Sequence, residues 1–149
     1  MSEIKFKRVE GNTDLPLPSY ATEGAAGMDL RAFLPDGSVT FAHGDLKLIS
    51  VGFCVELPNG TEMQIRPRSG LSLKHKFIVP NSPGTVDADY RGEVKCGLYY
   101  LGSEPFTINH GDRIAQAVIA HALRFPMVET GELSDTKRGE GGFGSTGVA

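Results

Sequence analysis

Apolar and polar positions alternate in short runs along this chain, and Gly, Pro, Asn or Asp closes each run. Met63 and Ile65 set against Glu62, Gln64 and Arg66 read as a half-buried strand, one face apolar and one wet. The same two-residue period, or a short apolar run between turn signals, predicts strands at Ile4–Val9, Met28–Ala32, Val39–Phe41, Leu46–Leu57, Thr61–Arg66, Phe77–Val79, Glu93–Leu101, Phe106–Ile108 and Ile114–Ala120. Pro58-Asn59-Gly60 and Asn109-His110-Gly111-Asp112 are turns between neighbouring runs. No stretch keeps a helical period over ten residues, and the one short helical candidate is Ser69–Lys74, directly after Pro67. Many short strands broken by frequent turns predict an all-β fold: a sandwich, jelly roll or barrel. There are no repeats, and linker-like text occurs only near Glu132–Lys137, so one domain spanning 1–132 is expected, followed by an arm at 133–149.

Composition narrows the function classes. A chain of 149 residues can bury roughly 70% of its unfolded surface in one core. The net charge of −3, with no basic stripe, argues against a binder of nucleic-acid polymers but leaves small phosphorylated ligands open. Cys54 and Cys96 sit in apolar, strand-like text outside any C-x-x-C, which suits buried reduced thiols. His43, His75, His110 and His121 lack the spacing of a protein-built zinc site. The N-terminus has no signal-peptide pattern, and no apolar run approaches membrane-spanning length. The expectation is a soluble cytoplasmic protein without a membrane partner.

Five segments carry candidate chemistry. In Pro67-Arg68-Ser69-Gly70-Leu71-Ser72, Arg and Ser open the short helical candidate, where free N–H groups attract anions. The ordinary alternative is an Arg beside a capping Ser. Gly84-Thr85-Val86-Asp87-Ala88-Asp89-Tyr90-Arg91-Gly92-Glu93 is the densest constellation. Its two acids point the same way if the segment is extended and splay apart in a turn. An ionised carboxylate here can orient and deprotonate a water, and Tyr90 offers a flat face to a sugar or base; a polar turn is the alternative. Ala26–Ala32 sets Asp29 in strand-like text, and Gly111–Gln116 joins a turn to the amide of Gln116. Each also suits a purely structural role.

The fifth segment is the tail. Five of the ten residues from Arg138 to Gly147 are Gly, so ordering it costs much backbone entropy and buries little. It still carries a guanidinium, a ring, two hydroxyls and unhindered N–H groups, the parts of a flap over a nucleotide. Gly139-x-Gly141-x-x-Gly144 matches the dinucleotide fingerprint in letters alone. Only five residues follow Gly144, leaving no room for the helix and acid that motif needs.

In this order and spacing, the five segments resemble the five motifs of the homotrimeric dUTP pyrophosphatase (dUTPase) family. The likeness extends to Leu15-Pro16-x-Pro18-x-Tyr20-Ala21-Thr22 ahead of the first motif. Ser72 stands where Ala is commoner, and Arg91 follows Tyr90 where members vary. The resemblance implies a jelly-roll-like β-barrel, a homotrimer with a flexible C-terminal arm, and active sites shared among three subunits. Motifs one, two and four would come from one subunit, the third from a neighbour and the arm from the remaining one. It implies hydrolysis of dUTP to dUMP and pyrophosphate with Mg²⁺, which keeps uracil out of DNA and supplies dUMP for thymidylate synthesis. Asp87 matches the general base. Arg68, Ser69, Gly70 and Gln116 match phosphate-holding positions, and Asp29 matches an acid that reaches the metal through water. Asn81, Thr85, Val86 and the Lys95 backbone match the uracil-reading segment, expected as a hairpin, with Tyr90 against the deoxyribose. Arg138, Ser145 and Thr146 match the phosphate clamp of the arm, Phe143 the ring that stacks on uracil, and Gly144 a further substrate-binding position. The rival readings are a dCTP deaminase-type relative, which needs a Glu at the pyrimidine that the third motif lacks, and a non-catalytic nucleotide-binding module.

Overall fold

The computed structural model of the chain describes residues 3–143. Ten strands run in the order β1 (Lys5–Arg8), β2 (Gly27–Arg31), β3 (Ser38–Phe41), β4 (Leu46–Glu56), β5 (Thr61–Arg66), β6 (Phe77–Ile78), β7 (Gly84–Val86), β8 (Glu93–Tyr100), β9 (Phe106–Asn109) and β10 (Arg113–His121). The nine expected strands are all present, each within one residue at either end. The expected helical turn is Gly70–Lys74, wound as a single π-type turn. β7 is the strand that the apolar pattern does not announce: its three residues include Gly and Thr, and Pro83 precedes them.

Two four-stranded antiparallel sheets, ordered β1-β4-β8-β6 and β2-β10-β5-β7, enclose the core, and β3 pairs with β9 in a separate ribbon. Alternation puts Ile49, Val51, Phe53 and Val55 of β4 and Val94, Cys96, Leu98 and Tyr100 of β8 inside. On the second sheet, Met28, Leu30, Met63, Ile65, Ala115 and Ala117 face them. Small residues occupy the central strand of this sheet, with Ala115 opposite Leu30 and Ala117 between Met28 and Ile65. Larger side chains from the flanking strands fill the space above them, as close packing requires. At one end, the Phe77 ring lies 5.1 Å from Phe41, 4.6 Å from Tyr100 and 5.3 Å from Phe106, centroid to centroid.

A second apolar cluster, Leu15, Phe33 and Phe53, anchors the segment before β2. Buried Asn12 ties this segment to a bulge in β4. Its Nδ2 donates to the Gly52 carbonyl at 2.7 Å, and its Oδ1 accepts from Arg8 Nη1 and the Leu15 N–H. Gly52 has φ +79°, and a Cβ there would stand 2.6 Å from Asn12 Nδ2, so the bulge needs glycine on both counts.

One expectation is corrected. The segment from Asn81 to Lys95 is not a hairpin: β7 pairs with β5, whereas β8 pairs with β4 and β6. Asp87–Gly92 therefore crosses from one sheet to the other. After His121 no strand or helix occurs through Phe143. Leu123, Phe125, Met127, Val128 and Leu133 lie 70–93% exposed along this run.

Both cysteines are free; Cys96 is buried as expected from its sequence context, whereas Cys54 is only partly so. Burial pushes the Cys96 thiol up to about 12. At pH 8 only about one Cys96 thiol in ten thousand is then ionised, and the thiolate is the nucleophile. Iodoacetamide at pH 8 is expected to alkylate Cys54 first and to spare Cys96 until denaturant is added. Peptide mapping by mass spectrometry checks this; comparable labelling of both cysteines in folded protein contradicts it.

Candidate active site

The sheet β2-β10-β5-β7 turns its wet face outward, and the backbone ladder sets its polar residues in rows. Asp29, Gln116 and Arg66 are direct cross-strand partners on β2, β10 and β5. Past Arg66 the chain turns at Pro67 and delivers Arg68 back over this row. Arg68 Nε donates to Asp29 Oδ1 at 2.8 Å, and Arg68 Nη1 donates to the Arg113 carbonyl at 3.1 Å. Arg113 Nη1 reaches Asp29 Oδ2 at 3.3 Å, so both oxygens of one carboxylate are engaged by guanidiniums. Gln116 Nε2 donates to the Pro67 carbonyl at 3.0 Å and pins the start of the turn. Ser69 makes no side-chain cap bond to the short helix, which removes the ordinary explanation for a Ser at that position. Asp29, Arg68 and Gln116 thus meet on one surface, with Ser69 and Gly70 next in the chain after Arg68.

Gly27 explains how Gln116 fits. A Cβ at Gly27 would stand 2.5 Å from Gln116 Oε1, so the side-chain amide lies across the bare backbone of β2.

The third segment sits elsewhere. Asp87 follows β7, is exposed, and lines an open cavity of about 350 Å³ with Thr61, Glu62, Asp89 and Arg124. The segment is a turn, closed by the Tyr90 N–H donating to the Asp87 carbonyl at 3.1 Å, so Asp87 and Asp89 do not share the face of an extended strand. Tyr90 is held in place: its hydroxyl donates to the Glu93 carbonyl at 3.0 Å, and its ring covers Gly92, where a Cβ would meet the phenol oxygen at 2.4 Å. The Ser50 hydroxyl donates to the Glu93 carboxylate and, with Lys95 at 3.2 Å, holds that carboxyl below the usual range. Thr85 and Asn81 are exposed, whereas the Val86 side chain points into the core and leaves only its backbone for recognition.

Sheet geometry separates the two groups within one chain. Asp87 extends the β7 register to a position opposite Glu62, four residues along β5 from Arg66, and β7 lies three strands from β2. At about 3.3 Å per residue and 4.8 Å per strand, Asp29 and Asp87 stand on the order of 20 Å apart. In the tail, Arg138 Nε donates to the Gly141 carbonyl at 2.8 Å, and Phe143 is fully exposed. Gly144, Ser145 and Thr146 lie outside the described residues.

The motifs left Arg113 without a role, although it stands inside the fourth. Strand alternation would have placed it inward, and only the observed register shift between Arg113 and Ala115 brings it out beside Asp29.

A family model described as dUTPase matches residues 13–147. The chain belongs to the dUTPase family. The deoxyuridine 5'-triphosphate nucleotidohydrolase of Caulobacter vibrioides is 58% identical over 146 residues, covering 97% of this chain and 94% of that protein. The enzyme of the same name from Desulfotalea psychrophila is 53% identical over 148 residues, with 98% of each chain covered. Among solved structures, Staphylococcus bacteriophage 80alpha dUTPase with dUpNHpp superposes with a TM-score of 0.84 at 25% identity, over 99% of this chain and 100% of that one. In this dUTPase chain, β2 carries the first motif, the turn after β5 the second, and the start of β10 the fourth.

The Gly27 contact yields a stability test. Gly27→Ala is expected to push the Gln116 amide off the Pro67 carbonyl and cost about 1 kcal/mol. In a Gln116→Ala background the same substitution should be neutral or slightly stabilising, since nothing remains to displace. Thermal unfolding of the two single variants and the double variant checks this; additive losses contradict it.

Proposed function

We propose that this dUTPase-family chain hydrolyses dUTP to dUMP and pyrophosphate at sites completed by other copies of the chain. One observation carries the reading: within a single chain, the phosphate-facing cluster around Arg68 and the acid Asp87 stand on the order of 20 Å apart. A water activated by Asp87 could not attack a phosphorus held by that cluster unless a neighbour brought the two together. The nucleotidohydrolase name borne by relatives at 52–58% identity supports the substrate. The run of exposed apolar side chains from Leu123 to Leu133 supports an assembly that covers it, and a homotrimer suits the family.

The chemistry then divides among named residues. Asp87 takes a proton from water, whose oxygen forms a bond to the α-phosphorus. The bond from that phosphorus to the α–β bridging oxygen breaks, and the oxygen leaves with pyrophosphate. Arg68, the Ser69 hydroxyl, the Gly70 N–H and Gln116 hold the phosphates and take up charge as it develops. Asn81, Thr85 and the backbone at Val86 and Lys95 read the uracil edge, where cytosine's reversed donors and acceptors leave buried groups unpaired. Tyr90, fixed by its bond to Glu93, packs against the deoxyribose. The arm at 133–149 closes with Phe143 on the base and Arg138, Gly144, Ser145 and Thr146 on the phosphates, over a barrel spanning 1–132.

The donor set suits Mg²⁺ in one manner only. Among the described residues no three His, Cys, Asp or Glu side chains form a metal cluster, and both Asp29 oxygens are already engaged. The described residues therefore offer no cage, and a hydrated ion held mainly by substrate phosphates fits, with Asp29 reached through water. When bound, the ion supplies charge neutralisation along the triphosphate. Free Cys54 and Cys96 agree with a reducing compartment, for which we take the cytoplasm. No described helix is long and apolar enough to cross a membrane.

Pyrophosphate release from a nucleotide panel with Mg²⁺ tests the reading. Turnover of dUTP and not dCTP is expected; ammonia from dCTP would instead indicate deaminase chemistry. Asp87→Asn should bind dUpNHpp normally yet lose about 10²–10⁴-fold in kcat. Mixing Asp87→Asn chains with chains ending at Thr136 should restore part of the activity, because a mixed assembly regains a site with both parts. Strict non-complementation after subunit exchange argues for a site contained in one chain.

A further inference from the structure

The fourth motif carries a second functional group besides Gln116. Regular alternation along β10 puts Ala115 and Ala117 inside and Gln116 outside, and carried back it would place Arg113 inside. The register with β2 shifts between Arg113 and Ala115, and Ile114 and Ala115 are both buried. That bulge reverses the phase, and Arg113 emerges on the face that holds Asp29 and Gln116. Bulges near functional sites commonly re-aim a side chain in this way.

On that face Arg113 acts twice on the same pair. Its guanidinium holds Asp29 Oδ2 at 3.3 Å, while Asp29 Oδ1 holds Arg68 Nε at 2.8 Å. Its carbonyl accepts from Arg68 Nη1 at 3.1 Å. Arg68 is thereby gripped at Nε and Nη1, and its Nη2 edge is left for an anion. Arg113 is about half exposed, so its ion pair adds little stability, and stability does not account for a bulge that lifts a cation onto this face.

We propose that Arg113 is a positioning residue for the triphosphate, fixing the Asp29 carboxylate so that Arg68 presents a pre-oriented guanidinium edge to phosphate. This rests on the dUTP-hydrolysing reading above. Orientation of a planar fork before binding reduces the ordering cost of each bond it then makes to phosphate.

A double-mutant cycle with Arg68 tests it on the full-length chain, with dUpNHpp binding measured by calorimetry and dUTP turnover measured in parallel. Arg113→Met should weaken dUpNHpp binding and raise KM by about tenfold, leave kcat within about threefold, and shift Tm by under about 2 °C. Arg113→Lys, which keeps a cation in reach of Asp29, should recover most of the lost affinity. In an Arg68→Met background, Arg113→Met should cost almost nothing further. An unchanged affinity in Arg113→Met, or the same fold-loss with and without Arg68, overturns the proposal, as does an affinity loss that follows a loss of Tm. A wild-type chain that neither binds dUpNHpp nor cleaves dUTP defeats the functional reading itself and this proposal with it. Tight wild-type binding with an additive cycle defeats the role of Arg113 alone.

Discussion

One carboxylate held between two guanidiniums organises the candidate site. Asp29 has Arg68 on one oxygen and Arg113 on the other, and it can do so because β2, β10 and the turn after β5 converge there. These pairs are 24–52% exposed, and such pairs contribute about 0–1 kcal/mol each. Their value lies in direction. A guanidinium free to rotate would lose side-chain entropy on each encounter with phosphate, whereas one already held by Asp29 and a backbone carbonyl loses less. The central place of β10 is what permits this. Flanked on both sides, it passes register to β2 and to β5 at once, so Gln116 meets Asp29 and Arg66 in the same row.

The same rigidity is why the proposed reaction calls for more than one chain. A β-sheet fixes distances at the spacing of its strands, and side-chain motion cannot bring Asp87 to Asp29, and to the guanidinium it holds, across three of them. Nature's usual remedy is symmetry, which in the proposed assembly would place one copy's third motif against another's first. The segment after His121 fits this need. Leu123, Phe125, Met127 and Val128 are exposed within six residues, and burying such side chains returns about 1.5–3 kcal/mol each. In the isolated chain that gain is unrealised; the proposed assembly would collect it while completing the sites.

Much of the barrel was legible because strands with one wet face reveal themselves by alternation. Glu93–Tyr100 alternates inward and outward as its sequence does, and β4 keeps Ile49, Val51, Phe53 and Val55 inside, although Leu46 and Leu48 at its start stay exposed. β7 escaped because Gly84 and Thr85 carry no apolar signal, and its strand character comes from pairing with β5. The hairpin expected around Asp87 failed for a related reason. Turn residues announce that the chain bends, but not which sheet it joins afterwards, and here β8 joins the other one. Among site residues, Asp29, Arg68 and Gln116 were recognisable as motif members and the structure brings them together. Arg113 was not, since a bulge is a property of two strands and the sequence of one shows only Ile114 and Ala115, two apolar neighbours. The resemblance assigns Val86 to base reading, yet its side chain faces the core.

The tail is where composition argues more than structure can. Fixing one residue's backbone costs about 1–2 kcal/mol, so ordering some ten residues costs on the order of 10 kcal/mol or more, and Gly lies at the upper end. With five Gly among the ten residues from Arg138 to Gly147, Phe143 is the one large apolar side chain available to offset this. Stacking that ring supplies about 1–3 kcal/mol. The remainder must come from charge-assisted bonds between Arg138, the hydroxyls and a multiply charged ligand, together with contacts to a neighbouring barrel. In the closure proposed above, a nucleotide with fewer phosphates would offer fewer such bonds and close the arm less completely. The Gly content would then make closure conditional on the triphosphate and let the arm release once pyrophosphate has separated, a reversibility that a better-packed tail would lose.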